Sequence, residues 1–208
     1  TRNLLEALVS SGKTLRAVIL ASSANIYGNS EVNPIMETTS FNPGNDYAVS
    51  KLAMEHMARL WMKKLPIILV RPFNYTGVGQ STNFLIPKIV DHFRRGMTEI
   101  ELGNLDVSRD FSDVRVVVDA YERLIELAPV GEAFNISSGT AISLGSLLKL
   151  MSEIAGYSIT VKVNPAFVRD NEIKCLRGSN QKLVDTIGEL GSISLEQTLR
   201  WMFEASTK

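Results

Sequence analysis

The sequence predicts an α/β fold built on a parallel sheet, and three observations predict it. Residues 16–23 form a short apolar, β-branched run that ends in the hydroxyls of Ser22 and Ser23. Residues 67–74 form a second such run, ending in Arg71, Pro72, Phe73 and Asn74. Between them a helix-forming stretch opens at Asn45-Asp46-Tyr47. Short continuous apolar runs with polar tips read as parallel strands buried on both faces. In open α/β sheets ligands bind at the carboxyl ends of the strands, where these polar tips fall.

Taken in order, residues 1–10 have helical periodicity, with Leu4, Leu5 and Leu8 on one face and Gly12 as a left-handed cap. The first strand follows. Residues 29–44, rich in Asn, Pro, Ser, Thr and Gly, read as a loop. The next helix, capped by Asn45 or Asp46, runs to about Lys64, and Pro66 opens the second strand. Residues 74–80 read as a loop. A helix spans Phe84 to Arg95 with Pro87 in its first turn, and Gly96 stops it. Short extended pieces lie at Ile100–Asn104 and Arg109–Asp113. Asp113 caps a helix through Leu127, a strand covers Ala133–Ser137, and Ser143 caps a helix closed by Gly156. Ile159–Val163 alternates as a strand, and 164–178 reads as a polar loop. The last helices are Asn180–Ile187 and Ser194–Ala205, the second opening with the capping box Ser194-x-x-Gln197.

Composition narrows the class. The chain has 208 residues, 45% hydrophobic, enough for a sizeable core in one or two lobes. Its 22 basic residues balance 22 acidic ones, which argues against a nucleic acid or an acidic membrane as partner. The single Cys175 makes no internal disulfide and reads as a small apolar residue in a reducing compartment. No run reaches membrane-spanning length, there is no signal-peptide pattern, and His56 and His92 lack ligand spacing. The expectation is a cytoplasmic protein with no metal site.

Tyr47 and Lys51, four residues apart, lie one above the other on a helix face. An ammonium beside a phenol favours the phenolate, which makes a proton donor and acceptor near neutral pH. On spacing alone they read as a surface pair on a solvated helix, and Ser23 alone as a strand-end hydroxyl bonded to backbone. The order of the three elements reverses that preference. A hydroxyl strand tip, a Tyr-x-x-x-Lys helix and a further strand tip ending Arg-Pro-Phe-Asn resemble the extended short-chain dehydrogenase/reductase family over nearly the whole chain.

The resemblance implies a partial doubly wound, Rossmann-type sheet with a smaller mixed α/β substrate lobe. Residues 1–75 would be the later half of the dinucleotide-binding domain and 113–137 would return to it. Residues 76–112 and 138–208 would build the substrate lobe. The Gly-rich phosphate loop between a first strand and helix is not in this sequence, so the chain is expected to start in the middle of a family domain. By resemblance Ser23, Tyr47 and Lys51 are the catalytic residues, with Ser22, Tyr47, Lys51, Pro72 and Phe73 beside the cofactor, NADP(H) ahead of NAD(H). Ser23 would hold a substrate oxygen, Tyr47 would exchange its proton, and Lys51 would bind the nicotinamide ribose.

Four segments resemble the GDP-mannose 4,6-dehydratases and the related GDP-4-keto-6-deoxymannose reductases. They are Asn74 to Lys88 with Phe84 in register; Gly103-Asn104-Leu105 with Arg109-Asp110-Phe111; Val168-Arg169 with Glu172, where Asp170 replaces a proline; and Gly178 to Leu183. Arg109, Arg169 and Lys88 would share a diphosphate, Glu172 would accept from ribose hydroxyls, and Asn25, Asn74, Phe84 and Asn104 would complete the substrate contacts. As bare residues the cations read as surface charges, and for Lys88 the two readings weigh about equally. The dehydratases carry Glu where this chain has Asn25, and an amide cannot serve as the base that removes the C5 proton. The resemblance therefore implies NADPH-dependent C4 reduction of a GDP-4-keto-6-deoxyhexose. A GDP-mannose 4,6-dehydratase, a nucleotide-sugar C4-epimerase and a catalytically silent cofactor-binding scaffold are the alternatives. A homodimer or higher homo-oligomer is expected, with Leu4, Leu8, Met54, Ala58 and Met62 as candidates for its interface.

Overall fold

The computed structural model describes residues 1–168 and 173–205. In chain order its elements are α1 (Arg2–Ser10), β1 (Val18–Ala21), a 3₁₀ turn (Ala24–Tyr27), α2 (Asp46–Trp61), β2 (Ile67–Pro72) and β3 (Asn74–Thr76). Then follow α3 (Leu85–Arg94), β4 (Glu99–Leu102), β5 (Ser108–Asp113), α4 (Val114–Leu127), β6 (Ala133–Ile136) and β7 (Ala141–Ser143). The last are α5 (Leu144–Ala155), β8 (Thr160–Val163), a 3₁₀ turn (Pro165–Phe167), β9 (Cys175–Leu176), α6 (Gln181–Ile187) and α7 (Leu195–Glu204). The α/β class and the parallel sheet read from the sequence are both present.

The main sheet has the order β1-β2-β6, all parallel, with Val18 opposite Ile67 and Val70 opposite Phe134. Helices cover both faces. Ile68 and Val70 of β2 join Val117, Ala120 and Leu124 of α4 and Leu183 and Ile187 of α6. Ile67 and Leu69, pointing the other way, join Leu5 of α1 and Ala58 of α2. This two-sided burial is why the strand reads as a continuous apolar run without alternation.

A second cluster lies away from this sheet. The apolar face of α3 (Ile86, Ile89, Val90, Phe93) meets Ile100 and Leu102 of β4, Leu147 and Met151 of α5, and Leu199 and Met202 of α7. Two small sheets frame it, β4 with β8 and β5 with β3, β7 and β9. Burying an Ile or Val side chain stabilises by about 1.5–3 kcal/mol. The helix-propensity penalty of a β-branched residue is at most about 0.7 kcal/mol. Burial therefore outweighs propensity, and Val117 sits in α4 without disrupting it. Caps fix where the helices start. Asn45, Asp113, Ser143 and Ser194 each accept a first-turn backbone N–H, and the Ser194/Gln197 box is closed in both directions.

Four sequence expectations need correction. Residues 74–76 are a strand, paired in parallel with β5, rather than loop. The polar loop at 164–178 contains a 3₁₀ turn and the short β9. β7 had no reading as a strand. All three strands are two or three residues long, too short for any periodicity to show. Ala58 is fully buried against the main sheet, so it cannot supply an exterior interface; of the five apolar candidates only Leu4 is exposed, at 51%. Helix α2 also stops at Trp61, earlier than Lys64. No helix among the described residues is long and apolar enough to cross a membrane.

Gly178 lies where the two regions meet. Its Cβ, if present, would stand 2.6 Å from the Phe73 ring and 2.7 Å from Ser137 Cβ. Its N–H donates to Asp110 Oδ2 at 3.2 Å, so the backbone cannot shift away without losing that bond. Gly178→Ala is therefore expected to destabilise the protein by about 1–3 kcal/mol, read as a lowered melting temperature in calorimetry. An unchanged melting temperature would show that Phe73 has room to move.

Candidate active site

The site forms at the carboxyl end of β1. Ser23 ends the extended segment and caps the 3₁₀ turn, its Oγ accepting from Asn25 N at 3.2 Å. Its own O–H remains available to donate. Ser22 is buried beside it; its N–H donates to Val70 O at 2.8 Å, while its Oγ makes no well-formed hydrogen bond. Helix α2 packs against the turn. Because its first residue is fixed by the Asn45 cap (Oδ1 to Ala48 N, 2.9 Å), Tyr47 emerges in the first turn, half exposed at 51%. Lys51 follows one turn later. Its Nζ donates to Ala21 O at 2.8 Å and stands over the Tyr47 ring, 5.7 Å from the centroid. The structure thus brings Lys51 and Tyr47 to the strand tip that carries Ser22 and Ser23.

Beneath them lies a network the sequence reading missed. Arg71, at the end of β2, is only 1% exposed, and Glu55 on α2 is fully buried. Arg71 Nε and Nη2 donate to the two oxygens of Glu55 at 2.9 and 2.8 Å. Arg71 Nη1 donates to Tyr27 Oη at 2.8 Å and to Glu37 O at 3.0 Å. Tyr27 Oη in turn donates to Asn135 Oδ1 at 2.8 Å, and Asn135 N donates to the Glu37 carboxylate at 2.8 Å. The guanidinium also lies 4.9 Å from the Phe41 ring centre. The only sequence signal was spacing, since Glu55 stands four residues after Lys51 on the same helix face.

The network sets ionisation states. Burial works to raise the Glu55 pKa, but the Arg71 hydrogen bonds and charge overcome it, with help from nearby Ser22, and hold it below the ordinary value. Burial pushes Tyr27 up to about 12, against the lowering effect of Arg71, so it stays a neutral donor.

The other expected site residues lie at the end of β2 and along the second region. Phe73 is buried, packed with Tyr27 and Ile35, and Pro72 is half-buried next to it. Asn74 Nδ2 donates to Asp110 O at 3.1 Å, which ties β3 to β5. Phe84 is exposed at the start of α3. Lys88 Nζ donates to Glu101 O at 2.7 Å and lies 4.6 Å from the Phe167 ring centre. Gly103 abuts the backbone of Phe167, so α3, the end of β4 and the 165–167 turn converge. Asn104 closes a local turn, its Oδ1 accepting from Asp106 N at 3.0 Å. Arg109 Nη1 donates to Ser108 O at 2.9 Å. Arg169 and Glu172 lie outside the described residues. Among the described residues no group of three or more His, Cys, Asp or Glu side chains is placed to hold a metal ion.

A parallel sheet with serines at a strand tip, and a Tyr/Lys helix pinned to that tip, defines a short-chain dehydrogenase/reductase of the NAD-dependent epimerase/dehydratase type. More narrowly, the chain belongs to the GDP-mannose 4,6 dehydratase family, whose profile matches residues 1–202. It is 37% identical over 188 residues to a GDP-6-deoxy-D-talose 4-dehydrogenase of Aggregatibacter actinomycetemcomitans, covering 90% of this chain and 64% of that one. It is 35% identical over 209 residues to a GDP-6-deoxy-D-mannose reductase of Pseudomonas aeruginosa, covering 96% and 68%. The chain thus spans about two thirds of the length of these relatives. Among solved structures, one from Burkholderia cenocepacia J2315, provisionally assigned as an epimerase, superposes with a TM-score of 0.94 at 57% identity, covering 98% of this chain and 67% of that one. RMD from Pseudomonas aeruginosa, complexed with NADPH, gives 0.88 at 33%, covering 97% and 69%.

The buried carboxylates fix how stability responds to acid. Glu55 has its pKa lowered in the fold, whereas the unfolded chain takes up this proton near 4.5. Its stabilisation is complete above that value and is lost as pH falls through the lower, folded one. Asp113, also lowered, acts in the same sense. Asp110, raised chiefly by burial, acts oppositely and offsets part of the loss. In urea unfolding, stability should fall below about pH 4.5, and Glu55→Gln should flatten that fall. The variant should also lose about 3–5 kcal/mol at neutral pH, because Arg71 is left buried without its counter-charge.

Proposed function

We propose that this chain carries the oxidoreductase centre of a nucleotide-sugar enzyme that reduces a GDP-4-keto-6-deoxyhexose at C4 with NADPH. The observation that carries the reading is the pairing of an intact Ser23, Tyr47 and Lys51 set with a neutral Asn25 on the adjoining turn. The set can move a proton at a carbonyl oxygen, while Asn25 cannot take one from carbon. The names of the two curated relatives, a GDP-6-deoxy-D-mannose reductase and a GDP-6-deoxy-D-talose 4-dehydrogenase, agree with it.

The Ser23 hydroxyl would donate to the C4 ketone oxygen and polarise it. Tyr47, exposed at the helix start, would give its proton to that oxygen as the alkoxide forms. Lys51 would stabilise the phenolate left behind and hold the nicotinamide ribose hydroxyls. Phe73 and Pro72 would flank the ring. The donor set suits a dinucleotide, since an ammonium and a phenol project together at the carboxyl end of a parallel strand. When bound, NADPH supplies the hydride, and the protein supplies position and proton. Preference for NADPH over NAD rests on the Pseudomonas aeruginosa RMD complex.

Lys88, Arg109, Arg169, Glu172, Asn74, Phe84 and Asn104 would hold the GDP moiety in a cleft between the main sheet and the cluster around α3. In this reading residues 1–75 and 113–137 form the dinucleotide part, and 76–112 with 138–208 form the substrate lobe. The protein would work in the cytoplasm as a homodimer, with Leu4 and the half-buried Leu8, Met54 and Met62 at the interface.

A second reading, C4 epimerisation, is favoured by the 57% identity to the Burkholderia cenocepacia structure and is compatible with a neutral Asn25. Net cofactor consumption separates the two. A reductase oxidises one NADPH per ketone reduced, whereas an epimerase returns the hydride and consumes none. The full-length protein is expected to oxidise NADPH in step with loss of a GDP-4-keto-6-deoxyhexose, and Tyr47→Phe should slow this by ~10²–10⁴-fold. With GDP-mannose it should form little 4-keto-6-deoxy product. Efficient water loss from GDP-mannose would overturn the reductase reading in favour of the dehydratase one.

A further inference from the structure

We infer that the buried Arg71–Glu55 pair is a positioning unit that aligns Tyr47 with Ser23. For its chemistry this rests on the oxidoreductase reading above; its geometry stands independently. Tyr47, Lys51 and Glu55 recur every four residues, so they share one face of α2. Lys51 fixes that face to β1 through Ala21 O at 2.8 Å. One turn on, Glu55 fixes it to β2 through two parallel bonds of 2.9 and 2.8 Å. The helix is thus held at two points against two adjacent strands, and neither a slide nor a roll is free.

Arg71 has a further bond, at 2.8 Å, to Tyr27, the last residue of the turn that Ser23 caps. One guanidinium therefore holds both the helix that carries Tyr47 and the turn that follows Ser23. Glu37 and Asn135 close the arrangement into a ring. Glu37 O accepts from Arg71, its carboxylate accepts from Asn135 N, and Asn135 Oδ1 accepts from Tyr27.

Stability alone does not account for such a pair. Removing two charges from water costs about what their attraction returns, and apolar side chains of similar size are often as stable in their place. What apolar packing lacks is direction. A guanidinium fork on a carboxylate fixes distance and angle together. Misplacing a reacting group by an ångström can cost about 10²-fold in rate, so directional fixing of Tyr47 against Ser23 has a catalytic value that packing cannot replace.

The test compares wild type with Arg71→Met/Glu55→Leu and with Glu55→Leu alone, in the full-length protein. The readouts are melting temperature, kcat and KM for NADPH and a GDP-4-keto-6-deoxyhexose, and the ¹⁹F NMR signal of 3-fluorotyrosine placed at position 47. The double variant should keep nearly the wild-type melting temperature, while the single one, with a buried unpaired cation, should not. Its kcat should fall about 10²-fold with KM little changed, and the ¹⁹F resonance should shift or broaden. A double variant matching wild type in all three readouts would overturn the proposal and leave the pair a packing element. If the double variant does not fold, Arg71→Lys, which keeps the charge without the fork, takes its place with the same expectations. Should wild type show no turnover, the functional reading fails, yet the ¹⁹F comparison still decides whether the pair positions Tyr47.

Discussion

The interaction on which the rest depends is a charged one in an apolar setting. Arg71 and Glu55 sit at the junction of β2, α2, the 3₁₀ turn and the 35–37 segment. Each of these pieces is ordered elsewhere by burial, which is strong but indifferent to a small slide. The guanidinium adds what burial lacks, since its donors face fixed directions and each meets an acceptor. The rings of Tyr27 and Phe41 lie 5.4 and 4.9 Å from the guanidinium, Tyr27 meeting it through its hydroxyl. With low local polarisability these bonds strengthen one another, and a missing partner would be correspondingly costly.

Two aspartates three residues apart on β5 show how local donors decide the state of a buried acid. Asp110 accepts from Ser138 N and Oγ, from Gly139 N and from Gly178 N, all neutral. Burial dominates there and its pKa rises. For Asp113 burial acts in the same direction, but the bidentate Arg115 guanidinium and Thr198 outweigh it and its pKa falls. Both acids join distant segments. Asp110 gathers the loops after β6 and β9, and Asp113 caps α4 while holding α7. Arg115, lying on the Trp201 ring at 3.9 Å, reinforces the second junction.

Much of this was legible in the sequence because it is local. The main strands announce themselves by apolar runs, and the caps at Asn45, Asp113, Ser143 and Ser194 by residue type. The Tyr47/Lys51 face follows from helical spacing. What was not legible depends on partners far along the chain. Arg71 read as the polar tip of a strand because nothing near it in sequence says that Glu55 will neutralise it. The strand at 74–76 exists only because β5 arrives beside it. Ala58 was ambiguous between core and exterior, since an apolar helix position does not say which neighbour covers it. Asn74 and Asn104 read as ligand contacts in the sequence; in the structure each hydrogen-bonds the backbone near it, Asp110 O and Asp106 N.

The place of β2 between β1 and β6 has a consequence for how the protein is made. Its residues Ile67 to Arg71 are all buried, and both its edges are hydrogen-bonded in the finished sheet. On the ribosome, β1 and α2 emerge first and can meet β2 as it appears. Its other edge must wait until residues 133–136 have been synthesised. Through that interval an apolar strand with unpaired amides stands open, which is the form of surface that aggregates or recruits chaperones. Arg71 lies at the end of that strand, and its partners Tyr27, Glu37 and Glu55 all precede it in the chain. They are already made when it appears, so the guanidinium can fasten β2 to α2 and to the 3₁₀ turn while the second edge still waits for β6.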